Sequence, residues 1–249
     1  MVPPTVARFV NTVVEPAYFN KNFTTLVAAV TAASPSILET LLNSTKKTLF
    51  APTNDAFAAA GITALPPRAT LDAVLAYHVI GSEVKAAQLP AVSAPANSAI
   101  TTLGGVFYLS NRGSNGVFIN GTTKVTATDI MADNGVVHVI DRTLLPPSQT
   151  IAQIATALST ASSGKEFTQF VAALARVPAL LNAAASASSS LTVFAPTDAA
   201  FNDLYKALGV TGVNDINLAT LTAVLQHHII SAPTTSTGRV FSRDLVTGS

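Results

Sequence analysis

An internal repeat is the feature that most constrains how this 249-residue chain can fold. The segment Leu49–Phe57 (LFAPTNDAF) returns as Val193–Phe201 (VFAPTDAAF), an offset of 144 residues (193 − 49). Leu71–Ile80 returns as Leu221–Ile230 with an offset of 150 (221 − 71), so the second copy carries additional residues between the two matches. Because ordered matches at nearly constant spacing rarely arise by chance, the chain contains two consecutive copies of one structural unit.

The first half of each copy predicts helices around a short strand. In the first copy, apolar residues at helical spacing (Phe23, Leu26, Val27 and Val30) predict a helix with one buried face. A strand over Thr48–Ala51 should end at Pro52, after which Thr53 or Asn54 can cap the next helix. A further helix over Ala69–Ala76 leads into the apolar run Tyr77–Ile80.

The second half of the first copy predicts strands joined by tight turns. Asn120-Gly121 is typical of a two-residue hairpin turn between strands, and Asp133-Asn134-Gly135 is a further turn. It should open a strand from Val136 to Leu145 that stops at the following proline pair. Helices followed by a run of hairpin strands predict an α+β fold.

The repeat also predicts the domain limits, with a first domain over residues 1–147 and a second over residues 148–249. Val240–Ser249 aligns with Val84–Ser93, so the second copy lacks counterparts of residues 94–147, the β-rich half. A domain without these hairpins would leave open strand edges. We therefore expect that the native polypeptide continues beyond Ser249 or that another chain supplies the missing half.

Composition excludes several classes of partner and chemistry. The net charge is +1 and the basic residues are dispersed, which argues against nucleic-acid binding and against a basic membrane-surface helix. No stretch approaches the ~18 consecutive apolar residues of a spanning helix, so we expect no direct membrane insertion within this sequence. The absence of cysteine excludes disulfides, thiolate metal sites and cysteine nucleophiles.

Three motifs in order resemble the fasciclin-domain family. They are the Phe-Ala-Pro-Thr segments, the Tyr77-His78 pair and Asn134–Asp141 (NGVVHVID). The resemblance implies a wedge of two small twisted β-sheets with surrounding helices, in two tandem copies. It also implies tandem arrays on secreted, cell-surface or extracellular-matrix proteins used for adhesion, without established catalysis. The alanine-rich, cysteine-free composition favours a bacterial source, where the location would be periplasmic or outer-membrane-associated.

The resemblance also implies two candidate binding sites. One is Tyr77-His78; in the second copy His227 replaces the tyrosine and His228 stays in register with the histidine. The other is Asp129-Ile130, whose counterpart the second copy lacks. For each there is a structural alternative: a buried imidazole bonded to backbone for His78, and turn chemistry with a core isoleucine for Asp129-Ile130.

No other pattern indicates catalysis, a metal or a cofactor. The sequence has no G-x-S-x-G elbow and no G-x-G-x-x-G loop opening a helix, and its acidic residues are dispersed. Adjacent His227 and His228 should point to different faces, which does not suit a shared metal. We predict a non-enzymatic adhesion or protein-binding module whose partner is another surface or matrix protein. The alternative is a spacer or assembly subunit that joins further copies of itself.

Overall fold

The computed structural model describes residues 9–91, 96–231 and 237–245. The chain divides into two compact units. The first unit takes in the sequence up to Pro146 together with the segment from Phe241, and the second unit takes in Pro147–Val240. The domain limits of 1–147 and 148–249 stay a prediction. In the alignment of Val240–Ser249 with Val84–Ser93, residues 92–93 and 246–249 lie outside the described residues.

Helices of the first unit occupy most of its N-terminal half: α1 Glu15–Tyr18, α2 Thr24–Ala32, α3 Pro35–Leu42, α4 Asn54–Ala59 and α5 Arg68–Tyr77. Thr53 caps α4, since its side-chain oxygen accepts a hydrogen bond from the Ala56 amide at 3.2 Å. The neighbouring Asn54 instead accepts from the Thr25 amide at 2.9 Å and so joins α4 to the start of α2. The predicted buried stripe of α2 is present, with Leu26 and Val30 in the core.

The strands of the first unit form one mixed sheet in the order β2-β1-β7-β6-β5-β4-β3. They are β1 Lys47–Pro52, β2 Val79–Ile80, β3 Ser98–Thr102, β4 Gly105–Asn111, β5 Val117–Ile119, β6 Thr123–Ala132 and β7 Gly135–Ile140. β1 and β7 run parallel, and every other neighbouring pair is antiparallel. The first residues of β6 pair with β5 and its remainder pairs with β7, so this strand belongs to both halves of the sheet. The α+β fold is confirmed.

Two local predictions about the strands were wrong. β7 ends at Ile140 rather than Leu145; the chain leaves the sheet after that residue, and the Leu144 amide donates to the His78 ring instead of to a neighbouring strand. Ile119 pairs with Thr123, so the loop at Asn120-Gly121 has three residues rather than two.

Apolar side chains on both faces of β1 build the core of this unit. Leu49 packs with the helices, whereas Phe50 points to the opposite face and packs with the hairpin strands. The Phe50 and Phe107 rings meet edge to face, with centroids 5.3 Å apart. A strand buried on both faces is expected to carry consecutive apolar residues, as Leu49–Ala51 do in β1, whereas the buried Lys47 and Thr48 at its start are polar.

The second unit repeats the helical half around its own core. Its elements are α6 Ile151–Ser159, α7 Thr168–Ala175, α8 Pro178–Ala185, β8 Leu191–Val193, α9 Asp198–Leu208, α10 Leu218–His227 and β9 Ile229–Ser231. Phe170, Phe201, Leu221 and Leu225 are buried at its centre. β8 pairs with β9 as β1 pairs with β2, but no described residue pairs with the second edge of β8.

A threonine makes the same two hydrogen bonds in both units. The Thr48 hydroxyl donates to the Ser82 carbonyl at 2.8 Å and accepts from the Val84 amide at 2.8 Å. The Thr192 hydroxyl donates to the Gly238 carbonyl at 3.2 Å and accepts from the Val240 amide at 2.7 Å. The threonine therefore fixes the chain that leaves the short sheet in the same way in each copy.

Candidate functional site

The Tyr77 side chain lies inside the first unit, at the end of α5. Its hydroxyl donates to the Val106 carbonyl at 2.9 Å and accepts from the Asn120 side chain at 3.3 Å. Only 1% of the residue is exposed. Gly104 passes so close that a Cβ there would lie 2.5 Å from the Tyr77 amide nitrogen. Tyr77 thus joins α5 to the β3–β4 turn and to the loop after β5.

The His78 imidazole is buried and both of its nitrogens are bonded to backbone. Nδ1 donates to the Val74 carbonyl at 2.7 Å, and Nε2 accepts from the Leu144 amide at 3.0 Å. This pair of bonds requires the neutral tautomer that carries its proton on Nδ1. Burial lowers the pKa of His78 to about 4, against the opposing effect of the bond to Val74. These contacts favour the structural alternative for the Tyr77-His78 pair.

Asp129 lies in an irregular part of β6, where the strand bulges away from β7. Pairing shifts between Ala127, which faces Val139, and Ile130, which faces Val137. Asp129 has a φ of 60°, in the left-handed region that few residues other than glycine occupy. Sequence reasoning placed this residue on the approach to a turn; the structure places it inside a strand, and no local pattern indicated the bulge.

Two hydrogen bonds hold the Asp129 backbone and side chain while the residue stays exposed. Its amide donates to Nδ1 of the buried His138 at 3.3 Å, and its carboxylate accepts from the Ala86 amide at 2.9 Å. Nε2 of His138 then donates to the Val84 carbonyl at 2.9 Å. His138 therefore connects the bulge to the segment that follows β2.

We use the name bulge surface for the exposed residues Thr128, Asp129 and Met131 of β6 together with Lys85, which precedes Ala86, the partner of the Asp129 carboxylate. Met131 is 52% exposed, whereas Ile130 is half-buried against the core. The Lys85 ammonium lies 3.8 Å from the Glu83 carboxylate. The bulge surface thus offers one fixed carboxylate, one cation and one apolar side chain.

His228 of the second unit occupies the position of His78 only in its backbone. The His228 carbonyl accepts from the Phe194 amide at 2.9 Å, as the His78 carbonyl accepts from Phe50 at 2.9 Å. The His228 side chain is half-buried, whereas the His227 side chain is exposed. Within the described ranges no group of three or more His, Cys, Asp or Glu side chains is placed to hold a metal ion. Nor does any helix described here have the length and apolar character needed to cross a membrane.

These observations define the class: an α+β repeat protein whose helical half occurs twice and whose exposed candidate residue, Asp129, lies on a strand of the first copy. The chain belongs to the fasciclin family, because the fasciclin domain matches residues 21–146 and 165–245. Tandem copies of this domain therefore account for the internal repeat.

Curated relatives occur in bacteria and animals. Protein sll1483 of Synechocystis is 40% identical over 142 residues, which cover 55% of this chain and 74% of that protein. Rat stabilin-2 is 31% identical over 163 residues, which cover 63% of this chain and 11% of stabilin-2, so the chain spans about a tenth of that relative. A solved FAS1 domain pair from the insect cell adhesion molecule fasciclin I is 17% identical with a TM-score of 0.46, covering 84% of this chain and 72% of that one.

Proposed function

We propose that the chain is an extracytoplasmic, non-catalytic adhesion or protein-binding module that presents the bulge surface to another surface or matrix protein. The observation that carries the proposal is the exposed carboxylate of Asp129, held at positive φ by bonds to His138 and Ala86. Membership of the fasciclin family supports it, since fasciclin homologues are adhesion and matrix proteins. A location outside the cytoplasm, at the cell surface or in the periplasm of a bacterium, is part of this proposal.

The backbone at Asp129 supports a role beyond folding. Aspartate enters the left-handed region more readily than most non-glycine residues, so the cost at Asp129 is at most about 1–2 kcal/mol, and the bonds to His138 and Ala86 hold it there. Strained residues of this kind concentrate at sites of contact and catalysis. Here the strain directs a carboxylate outward while Ile130 packs inward, which suits recognition by a partner with a cationic group and an apolar patch.

Absence of catalysis is supported by where the titratable groups lie. His78, whose pKa is strongly lowered, is buried in the core, and both of its ring nitrogens are hydrogen-bonded to backbone groups. The cleft lined by α2, α3 and the start of α5 has Glu39 and Arg68 as its charged side chains, and so offers no second carboxylate for a general acid and base pair. The cleft along α6 is lined by alanine, serine, threonine and glutamine.

A photo-cross-linker attached beside Asp129 tests the proposal. Because the chain has no cysteine, Thr128→Cys provides one unique attachment point on the bulge surface, and Ala58→Cys on the exposed side of α4 provides a matched control. After irradiation on intact cells or native matrix, mass spectrometry should find a partner protein linked to position 128 and not to position 58.

The charge of Asp129 is tested by Asp129→Asn, because asparagine tolerates positive φ and keeps an acceptor for the Ala86 amide. We expect the cross-link from position 128 to fall at least tenfold with this change. Asp133→Asn, in the exposed turn of the same hairpin, should leave it unchanged. Equal labelling from positions 128 and 58, or full labelling in the Asp129→Asn variant, would refute the assignment of this surface.

A second candidate function, an assembly subunit or spacer, is favoured by the second edge of β8. Phe194 is 46% exposed, whereas its counterpart Phe50 is fully buried beneath the strands of the first unit. A strand from a further copy could pair there as β7 pairs with β1. Analytical ultracentrifugation over a wide concentration range should then show oligomers, and the Phe194→Ser variant should be monomeric. A monomer at every concentration would exclude this alternative.

A further inference from the structure

We infer that the first unit carries a recognition groove for a short acidic turn of the form Phe-x-x-Asp, and that residues 241–245 of the same chain occupy it. This groove lies on the β3–β4–β5 half of the sheet, apart from the bulge surface, and therefore goes beyond the function proposed above. Its ligand class is a peptide turn that carries a carboxylate three residues after an aromatic side chain.

The occupant is a compact turn that fixes its own carboxylate. Ser242–Asp244 form one turn of 3₁₀-helix, in which the Asp244 amide donates to the Phe241 carbonyl at 2.8 Å. The Asp244 carboxylate accepts in return from the Phe241 amide at 3.3 Å. These two reciprocal bonds fix the position of the Asp244 carboxylate relative to the turn. Asp244 is fully buried.

Side chains of the first unit receive this carboxylate. The Ser110 hydroxyl donates to Oδ1 at 2.8 Å, and the Arg112 guanidinium donates to the same oxygen at 2.8 Å. The Asn97 amide donates to Oδ2 at 3.3 Å. Ser110 and Asn97 are each 1% exposed, and 12% of the Arg112 side chain is exposed. A buried carboxylate requires such partners, because an unpaired charge in the interior is strongly unfavourable.

The aromatic residue has its own place in the groove. The rings of Phe241 and Tyr108 lie with centroids 6.2 Å apart. Gly121 passes beneath, and a Cβ added there would lie 2.3 Å from the Phe241 Cβ. The groove therefore selects two features at a fixed separation, a ring over Tyr108 and Gly121 and a carboxylate at Arg112.

The corresponding turn of the first copy has the same backbone cap but buries a different residue. The corresponding segment, Lys85–Leu89, has the same local cap, in which the Gln88 side chain accepts from the Lys85 amide at 2.8 Å. There the capping residue Gln88 is exposed and neutral, and Leu89 is buried. In the second copy the capping residue is a buried carboxylate, and Leu245 is 50% exposed. The buried residue of this turn is therefore apolar in the first copy and acidic in the second.

Vacating the groove in the full chain tests this inference. The probe is a fluorescein-labelled peptide of residues 239–245 (RVFSRDL), read by fluorescence anisotropy. In the Phe241→Ser/Asp244→Asn variant the internal occupant loses both anchors, so we expect the probe to bind at least tenfold more tightly than it binds to the unaltered chain. The same peptide with asparagine in place of its aspartate should not bind. Asp203→Asn, a change to an exposed ion pair in the second unit, should leave probe binding unchanged.

Removing the arginine provides the opposing test. Adding Arg112→Gln to the vacated variant should abolish probe binding. In the otherwise unaltered chain Arg112→Gln should accelerate hydrogen exchange of residues 237–245 at least tenfold, while exchange in β1 and β7 stays constant and reports an intact fold. The inference is overturned if the vacated variant and the unaltered chain bind the probe equally or if neither binds it. Tight binding without Arg112, or unchanged exchange in the single variant, would also overturn it.

Discussion

The buried imidazole of His78 makes the stability of the first unit depend on pH in a defined window. In an unfolded chain a histidine titrates near pH 6.5, whereas burial lowers the pKa of His78 in the folded unit to about 4. Between these values the unfolded state binds a proton that the folded state does not bind. Protons therefore favour unfolding, and the contribution of His78 is complete above about pH 6.5 and is lost as pH falls toward 4.

The size of the effect follows from the difference between the two pKa values. Each unit of difference corresponds to about 1.4 kcal/mol, so the full loss near pH 4 is roughly 3 kcal/mol, and lowering pH from 7 to 4.5 costs about 2 kcal/mol. That is a large fraction of the 5–15 kcal/mol typical of a folded domain. Full burial of the ring disfavours its protonated form, and the Leu144 amide already donates to Nε2, the atom that would accept the proton. The bond from Nδ1 to the Val74 carbonyl acts in the opposite direction and is the weaker effect.

Urea unfolding at each pH, followed by a brief deuterium pulse at one fixed pH, measures this contribution. Mass spectrometry of peptides from residues 68–80 follows the first unit separately from the second. Because carboxylates also titrate in this range, the informative quantity is the difference between the unaltered chain and His78→Gln, which should lose about 2 kcal/mol less between pH 7 and 4.5. His227→Gln, which removes an exposed imidazole, should behave as the unaltered chain does. Identical pH dependence in the chain and in His78→Gln would refute a neutral, buried His78.

Three further changes test the contacts that build the fold. Gly135→Ala places a Cβ 1.9 Å from a β1 carbonyl oxygen and should cost more than about 4 kcal/mol in urea unfolding, whereas Gly61→Ala, at positive φ in open space, should cost only about 1–2 kcal/mol. Thr192→Val should destabilise only the second unit, by roughly 1–3 kcal/mol, and Thr48→Val should destabilise only the first unit by a similar amount. Hydrogen exchange measured separately for each unit checks both expectations. Asn134→Ala removes three hydrogen bonds to buried backbone groups and should lower unfolding free energy by roughly 2–4 kcal/mol; a loss below 1 kcal/mol would contradict this role.

Features with a local cause could be predicted from the sequence. The cap of α4, which the sequence assigned to Thr53 or Asn54, and the buried stripe of α2 depend on residues within a few positions of one another, where capping chemistry and periodicity act directly. The repeat could be recognised directly from matching segments. The α+β class followed from the same local patterns, since hairpin turns such as Asp133–Gly135 join strands adjacent in sequence. Family motifs then gave the expected fold as a whole.

Features that depend on distant residues could not be predicted in this way. The parallel pairing of β1 with β7 joins residues almost 90 positions apart, such as Lys47 and Gly135. The bond between the Leu144 amide and the His78 ring joins residues 66 positions apart, and the Asp129 amide at the bulge bonds to His138 of the neighbouring strand. Burial of the candidate Tyr77-His78 pair likewise depends on residues that come later in the chain. For this reason the sequence was compatible both with a binding site and with a buried imidazole bonded to backbone.

Comparing the two units distinguishes the features that the helical half forms by itself from those that also need the β-rich half. Helical packing, the short sheet and the threonine contacts occur in both, so these parts are specified within about 100 residues of local sequence. Among the described residues, the edge-to-face contact of the fully buried Phe50 and the second bond to the His78 ring come from Phe107 and Leu144, which follow β2 in the first unit. The same β-rich half carries Asp129, on β6, and Arg112, directly after β4. We therefore expect the helical half to act as a scaffold and the β-rich half to supply the contact surfaces. Replacing residues 96–146 with those of another fasciclin domain should change the binding partner. The protection of α2 and α5 against hydrogen exchange should stay the same.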